Sequence, residues 1–281
     1  MKPKTKTGEF IQAVLIALFA ALVLRQFVIA SYKVPTGSME NTVLIGDFMF
    51  VNKFVYGART PDWFGIPFTR TGFNIPWLQF PAISDPEQYD VVVFKYPVDP
   101  HLDYIKRCIA VGGQKVEIQN KIVYVDGELY PKPPDMKLID RRIFNHNDKR
   151  FPVFAEGLGS RDNFGPVIIP QKDQRIDLNR KNYNLYENTI KKYERNKSLK
   201  WENDQAYLNG EPITEYQFKQ DYFFMMGDNR DNSQDSRVWG FVPHDHVIGK
   251  PLIIWLSWDS RVPAYRMFNK IRWNRLGSLI R

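Results

Sequence analysis

Residues 10–30 read FIQAVLIALFAALVLRQFVIA, an apolar run close to the N-terminus. At about 1.5 Å per residue a helix of this length spans about 30 Å, the thickness of a bilayer's hydrocarbon core. The run is interrupted only by Gln12, Arg25 and Gln26, and Arg25 is close enough to the far end to snorkel to the interface. Lys2, Lys4 and Lys6 precede it and only Glu9 opposes them. The positive-inside rule therefore predicts residues 1–9 in the cytoplasm, a retained single-pass anchor over 10–30, and residues 31–281 on the far side. A cleavable signal peptide is the competing reading, because VIA at residues 28–30 has the small residues of a cleavage site. The apolar run is longer than the core of a typical signal peptide, which favours the anchor. No second run of this length follows, and PLIIWLSW (251–258) is too short to span and reads as a buried strand.

The remainder is rich in strand signals, so the fold class expected is mainly β, with one N-terminal transmembrane helix. DVVVFKY (90–96), YIKRCIAV (104–111) and DYFFMM (221–226) are short apolar runs of strand character. KVEIQNKIVYVDGELY (115–130) alternates and carries Asp126-Gly127, and AYLNGEPITEYQF (206–218) carries Asn209-Gly210; both are hairpin signals. The best helical signal beyond the anchor is LYENTIKKYERNK (185–197). Residues 131–200 are polar and weakly periodic, and read as a variable insertion or lid-like subdomain.

The net charge of +8 permits an anionic partner. No zinc-finger or basic-helix motif accompanies it, so nucleic acid is not expected. The C-terminal stretch YRMFNKIRWNRLGSLIR mixes aromatic and basic residues and suits a membrane surface. The single cysteine, Cys108, excludes an internal disulfide and reads as a buried strand residue. His244 and His246 form H-x-H with no further histidine at metal spacing, so neither a metal nor a cofactor is expected. GDNRDNSQDSR (227–237) fails as a calcium loop. With Asp231 at the first position, Ser236 stands where glycine is needed and Val242 where glutamate is needed. It reads instead as a structured polar turn.

Two residues remain for chemistry. Ser38 lies in a polar turn eight residues past Ala30, a length that reaches at most about 28 Å and keeps it close to the membrane. Lys106 sits among apolar strand residues, where desolvation lowers an amine's pKa and suits it to act as a base. Separately, each also has an ordinary reading, as a turn residue and as an outward-pointing lysine.

Together PTGSMENTVLIGDFMFVNKFVYG, DVVVFKYP, DYIKRCIAVGG and GDNRDNSQDSRVWGFVP, in this order after the anchor, resemble the bacterial type I signal peptidases. The resemblance leaves out residues 131–200. It implies a signal-peptidase-like antiparallel β-sheet catalytic domain and a membrane-bound serine endopeptidase with a Ser/Lys dyad. Such an enzyme sits in the bacterial inner membrane and cleaves signal peptides from secreted preproteins after small residues (A-x-A), with membrane lipid as a further partner. Carried over by position, Ser38 is the nucleophile, Lys106 the general base, and the Thr36 hydroxyl with the Ser38 N–H the oxyanion hole. Ser233 orients the lysine. Asp235 with Arg237 and Asp228 with Arg107 are structural ion pairs near the site, and Val34, Val93, Tyr104 and Ile105 line pockets for small side chains. Two positions depart from the family pattern: Asn41 stands where proline is usual, and VGGQ (111–114) replaces a Gly-x-Pro-Gly-Asp turn. Three other readings stay open: a soluble self-cleaving repressor-type Ser/Lys protein, a tethered non-enzymatic binding domain, and a peptidase with one dedicated substrate.

Overall fold

The computed structural model describes residues 6–61, 63–65, 71–148 and 150–281. Lys2 and Lys4, on which the predicted orientation of the anchor partly rests, lie outside them. The chain forms two compact units. One comprises residues up to 33, 47–85 and 248–279; the other comprises 34–46, 86–247 and 280–281.

In the first unit Lys6–Phe27 is a single 22-residue helix, long and apolar enough to cross a membrane, with none of its side chains buried. It ends three residues short of the predicted boundary. The β-branched pair Val28 and Ile29 disfavours further helix, and Ile29–Lys33 instead pairs antiparallel with Asp47–Asn52, from Ile29↔Asn52 to Lys33↔Phe48. The strand Val247–Ser257 pairs with the other edge of Asp47–Asn52. The prediction of a buried strand for PLIIWLSW is corrected in part, since Leu252 and Trp255 are 39 % and 42 % exposed. Trp255 stacks on Phe50 at 5.6 Å and donates to Ser31 Oγ at 2.9 Å.

Asp47 is fully buried in this unit. It accepts a hydrogen bond from Ser257 Oγ at 2.6 Å, pairs with Arg275 at 2.7 Å and lies 3.6 Å from Arg272. The basic C-terminal stretch is thus not free for lipid along its whole length. Two of its arginines neutralise a buried carboxylate, while Tyr265 and Phe268 stay 81 % and 80 % exposed.

The second unit holds an antiparallel sheet in the order Val91–Lys95, Asp103–Ala110, Tyr222–Met226, Val242–Pro243. A four-stranded sheet runs Phe164–Ile168, Lys115–Gln119, Ile122–Val125, Glu128–Leu129. Both predicted hairpins form. Asp126 and Gly127 adopt φ of 54° and 86°, and Asn209 and Gly210 adopt 56° and 87°, the left-handed pair a two-residue turn requires. The helix expected from residue 185 starts earlier. Arg180–Asn188 is capped by Asn179, which accepts from the Asn182 N–H at 2.9 Å, and it continues into a wider π-turn over Thr189–Tyr193.

The polar middle is more than a lid. Phe164, Ile169, Leu178, Tyr183, Tyr186, Ile190 and Leu199 are buried in one core with Phe218, Tyr222, Phe224 and Phe241. Each large aromatic or aliphatic side chain removed from water contributes about 1.5–3 kcal/mol, so residues 131–200 supply a major part of what stabilises this unit.

Candidate active site

The site lies wholly within the second unit. The turn carrying Ser38 is closed by the Gly46 N–H donating to the Val34 carbonyl at 3.0 Å, and within it the Val43 N–H donates to the Met39 carbonyl at 2.9 Å. Met39 and Val43 are fully buried and pin the turn from below, whereas Ser38 is 8 % exposed. The loop that follows Tyr222–Met226 holds the turn from the side. The Asn229 N–H donates to the Ser38 carbonyl at 3.1 Å, and Asn229 Nδ2 donates to the Gly37 carbonyl at 3.0 Å and to Glu40 Oε2 at 3.2 Å. Gly227 permits this approach, because a Cβ there would collide with the Ser38 carbonyl oxygen and the Ser233 hydroxyl.

Lys106 projects from Asp103–Ala110, a strand buried along most of its length. It is 2 % exposed, so the outward-pointing reading does not apply. Its Nζ lies 2.7 Å from Ser38 Oγ and 2.9 Å from the Ile105 carbonyl oxygen, and 5.0 Å from the centre of the Tyr104 ring. Burial lowers its pKa to about 8, against the opposing attraction of Asp235 and Asp228. Desolvation wins because each carboxylate is already engaged by an arginine. The amine is therefore neutral near physiological pH far more often than an ordinary lysine, and in that form it can accept a proton from the adjacent hydroxyl.

Side chains alternate along the strand, so Arg107 faces away from Lys106. Its guanidinium meets Asp228 through Nε at 2.8 Å and Nη2 at 2.7 Å, and Thr42 Oγ1 also donates to that carboxylate. Asp235 and Arg237 form a second buried pair, at 2.8 Å through both Nε and Nη2. Burial alone would raise the Asp235 carboxyl, but Arg237 outweighs it and holds the pKa below the usual range. Arg237 also donates to the Arg230 carbonyl at 2.7 Å, which locks the loop's shape. The alternating polar residues of GDNRDNSQDSR are therefore internal struts.

A cleft of about 550 Å³ opens at the dyad, lined by Thr36, Gly37, Ser38, Tyr104, Lys106, Ser233 and neighbours. Of the residues expected to form pockets, Tyr104 lines this cleft. Val34, Val93 and Ile105 are buried, with Val93 opposite Ile105 across the two strands. Ser233 is brought to the cleft, but the hydrogen bond to the lysine that its matched position implies is not made. Its Oγ is buried without a hydrogen bond, near enough to Asp235 to help lower that carboxyl.

Sequence reasoning missed Asn229, Thr42, and two cleft residues from the polar middle, Phe151 and Arg161. The Arg161 guanidinium lies 5.3 Å from the Phe151 ring and donates to the Ser233 carbonyl at 2.9 Å. No local pattern announces such long-range partners. The departure at Asn41 has a structural meaning. Asn41 adopts φ of 84°, which proline cannot, and its side chain donates to the Asp135 carbonyl at 3.3 Å. At the second departure Gly113 takes φ of 85°, as the third position of a type II turn demands. Cys108 is fully buried and its thiol is pushed far up by burial, which suits packing and not attack.

Comparison with known proteins identifies the family. The family described as signal peptidase, peptidase S26, matches residues 7–163 and 165–258. A signal peptidase I of Pseudomonas aeruginosa is 31 % identical over 271 residues, covering 92 % of this chain and 75 % of the relative. One from Aquifex aeolicus is also 31 % identical, over 258 residues that cover 88 % of this chain and 82 % of the relative. A solved signal peptidase I from Enterococcus faecalis aligns over 59 % of this chain and 97 % of its own, at 17 % identity and a TM-score of 0.27, too low to bear on the fold. Matched along most of its length by one family, the chain belongs to the signal peptidases of peptidase family S26, serine proteases that remove signal peptides.

Proposed function

We propose that this enzyme cuts exported preproteins by attack of Ser38 on the scissile carbonyl, with Lys106 as general base. The observation that carries the proposal is the 2.7 Å contact between Lys106 Nζ and Ser38 Oγ in a buried setting. Neutral Lys106 takes the hydroxyl proton as the Ser38 Oγ–carbonyl bond forms, then gives it to the leaving amine, which departs with the mature protein. A water then gives its proton to Lys106 as it attacks the acyl carbonyl, and Lys106 passes that proton to Ser38 Oγ as the ester bond breaks, releasing the cleaved signal peptide's carboxylate end. The oxyanion is bound by the Ser38 N–H and the Thr36 hydroxyl, a role supported by Thr36 and Ser38 both lining the cleft. Ser233 positions the lysine by filling the space beside it, and Asp228–Arg107 and Asp235–Arg237 keep the loop rigid.

The small residues of an A-x-A site fit shallow recesses bounded by Tyr104 and the buried Val34, Val93 and Ile105. Lys6–Phe27 anchors the enzyme in the bacterial cytoplasmic membrane with the catalytic unit outside the cytoplasm. Lipid contacts its exposed aromatics, and signal peptides are its partners. The test is cleavage of an A-x-A precursor by the full chain in detergent, with Ser38→Ala and Lys106→Ala as variants. Both variants are expected to remain folded and to lose turnover. Turnover by folded Lys106→Ala at the wild-type rate would refute the dyad.

A further inference from the structure

Arg230 is 3 % exposed, yet its guanidinium has no hydrogen bond and no carboxylate within ion-pairing distance among the described residues; its Nε is fully enclosed and unpartnered. The two acidic groups whose field reaches it, Asp235 and Asp228, are already held by Arg237 and Arg107. Burial and the charge of Arg237 lower its pKa to about 10, so it still carries a positive charge at neutral pH. A buried guanidinium without a counter-charge is costly, and a bound anion would relieve that cost.

Arg230 lines a cavity of about 230 Å³ distinct from the catalytic cleft. The walls are mostly apolar, with Ile122, Leu129, Met136 and Leu138 among them, and Lys132 adds a second basic group. Lys121, the third basic residue there, is already paired with Asp231 at 2.8 Å. A volume of about 230 Å³ is more than a single small ion fills. A phosphate or sulfate would leave the apolar walls unfilled, and a cation would face Arg230 and Lys132. The chemistry that satisfies both parts of the cavity is a carboxylate carrying a short aliphatic chain.

We propose that this cavity is a binding site for an aliphatic carboxylate, its head group on Arg230 and its chain against Ile122, Leu129 and Leu138. The carboxylate can come from a fatty acyl chain or from an apolar C-terminal residue of a peptide; both share this head and tail. Arg230 and Asp231 are consecutive, and they line this cavity and the catalytic cleft respectively, so an occupant would sit one residue away from the cleft wall.

The test is ligand-observed NMR titration of the full chain in detergent with hexanoate, and with N-acetyl-leucine for the peptide source. Hexan-1-ol and N-acetyl-leucinamide serve as uncharged controls. At least one carboxylate is expected to bind saturably, and which one binds more tightly identifies the source. Binding should weaken at least tenfold in Arg230→Met. Leu129 is 62 % exposed, so Leu129→Glu tolerates folding and places a repelling charge at the cavity; it should weaken binding similarly. Absence of saturable binding at millimolar concentration overturns the proposal. So does equal binding of acids and uncharged controls, or binding that neither substitution changes.

Discussion

Asn229 holds the turn that carries Ser38. Its N–H donates to the carbonyl of Ser38, and its side-chain amide donates to the carbonyl of the residue before it. The backbone that carries the proposed nucleophile is thereby held by a residue outside the cleft lining. Asn229→Ala deletes the side-chain bonds and leaves the Gly37 carbonyl short of a donor, at about 1–3 kcal/mol of stability. The expected outcome is a folded enzyme whose kcat falls at least tenfold while KM changes little. Steady-state kinetics beside a denaturant melt read both.

The low pKa of Lys106 has two measurable signatures. With Lys106 as the proposed base, kcat/KM should climb with pH as the amine becomes neutral, through a midpoint of about 8 and not near 10.5. Stability follows the same group. Between about 8 and 10.5 the unfolded chain holds the proton that the folded chain has released, so stability rises with pH across that window. Lys106→Met removes the penalty of a buried ammonium. At neutral pH the inactive variant should be more stable by up to about 3 kcal/mol, with the difference shrinking to near zero above the unfolded-state pKa. Urea melts at several pH values check the slope.

Arg107 and Asp228 are a buried pair, and breaking one side strands the other. Arg107→Met leaves an uncompensated carboxylate and should cost about 3–5 kcal/mol. The double variant Arg107→Met, Asp228→Leu should be less damaging than the sum of the two single changes. A double-mutant cycle on the purified chain measures the coupling.

In the proposed mechanism the Thr36 hydroxyl, unlike Ser38 and Lys106, acts only once charge develops on the carbonyl. Thr36→Val should lower kcat by about 10²–10³-fold with KM nearly unchanged, and Thr36→Ser should recover most of it. A Thr36→Val enzyme of normal kcat would show that the Ser38 N–H suffices.

The parts of the site legible in the sequence are those fixed by residue identity. Ser38 and Lys106 stand in motifs long enough to name, and the Asp126-Gly127 and Asn209-Gly210 hairpins follow from backbone conformations that few residues adopt. What stayed hidden depends on partners far along the chain. Asp47 looks like an ordinary turn residue until Arg275, 228 positions later, closes over it. Phe151 and Arg161 belong to a stretch without periodicity, yet they wall the cleft. The helix at Arg180–Asn188 was placed five residues late because its start is decided by the Asn179 cap and not by apolar spacing. Ser233 stands at the cleft as its matched position implies, while its Oγ makes no hydrogen bond to Lys106 here.

The grip on the Ser38 turn also bears on when the enzyme becomes active. The bond from Asn229 to Gly37 joins residues 192 positions apart, and such long-range closures form late in folding. During synthesis the apolar helix and Ser38 leave the ribosome first, and the residues that aim the serine follow many seconds later at about 5–20 residues per second. A nascent chain therefore carries Ser38 in a turn that lacks its supporting hydrogen bonds until residues 227–237 have been made. On the proposed mechanism, the hydroxyl is aimed only once both ends of the chain's long closure exist, so activity arrives with the completed fold and not with the first residues made.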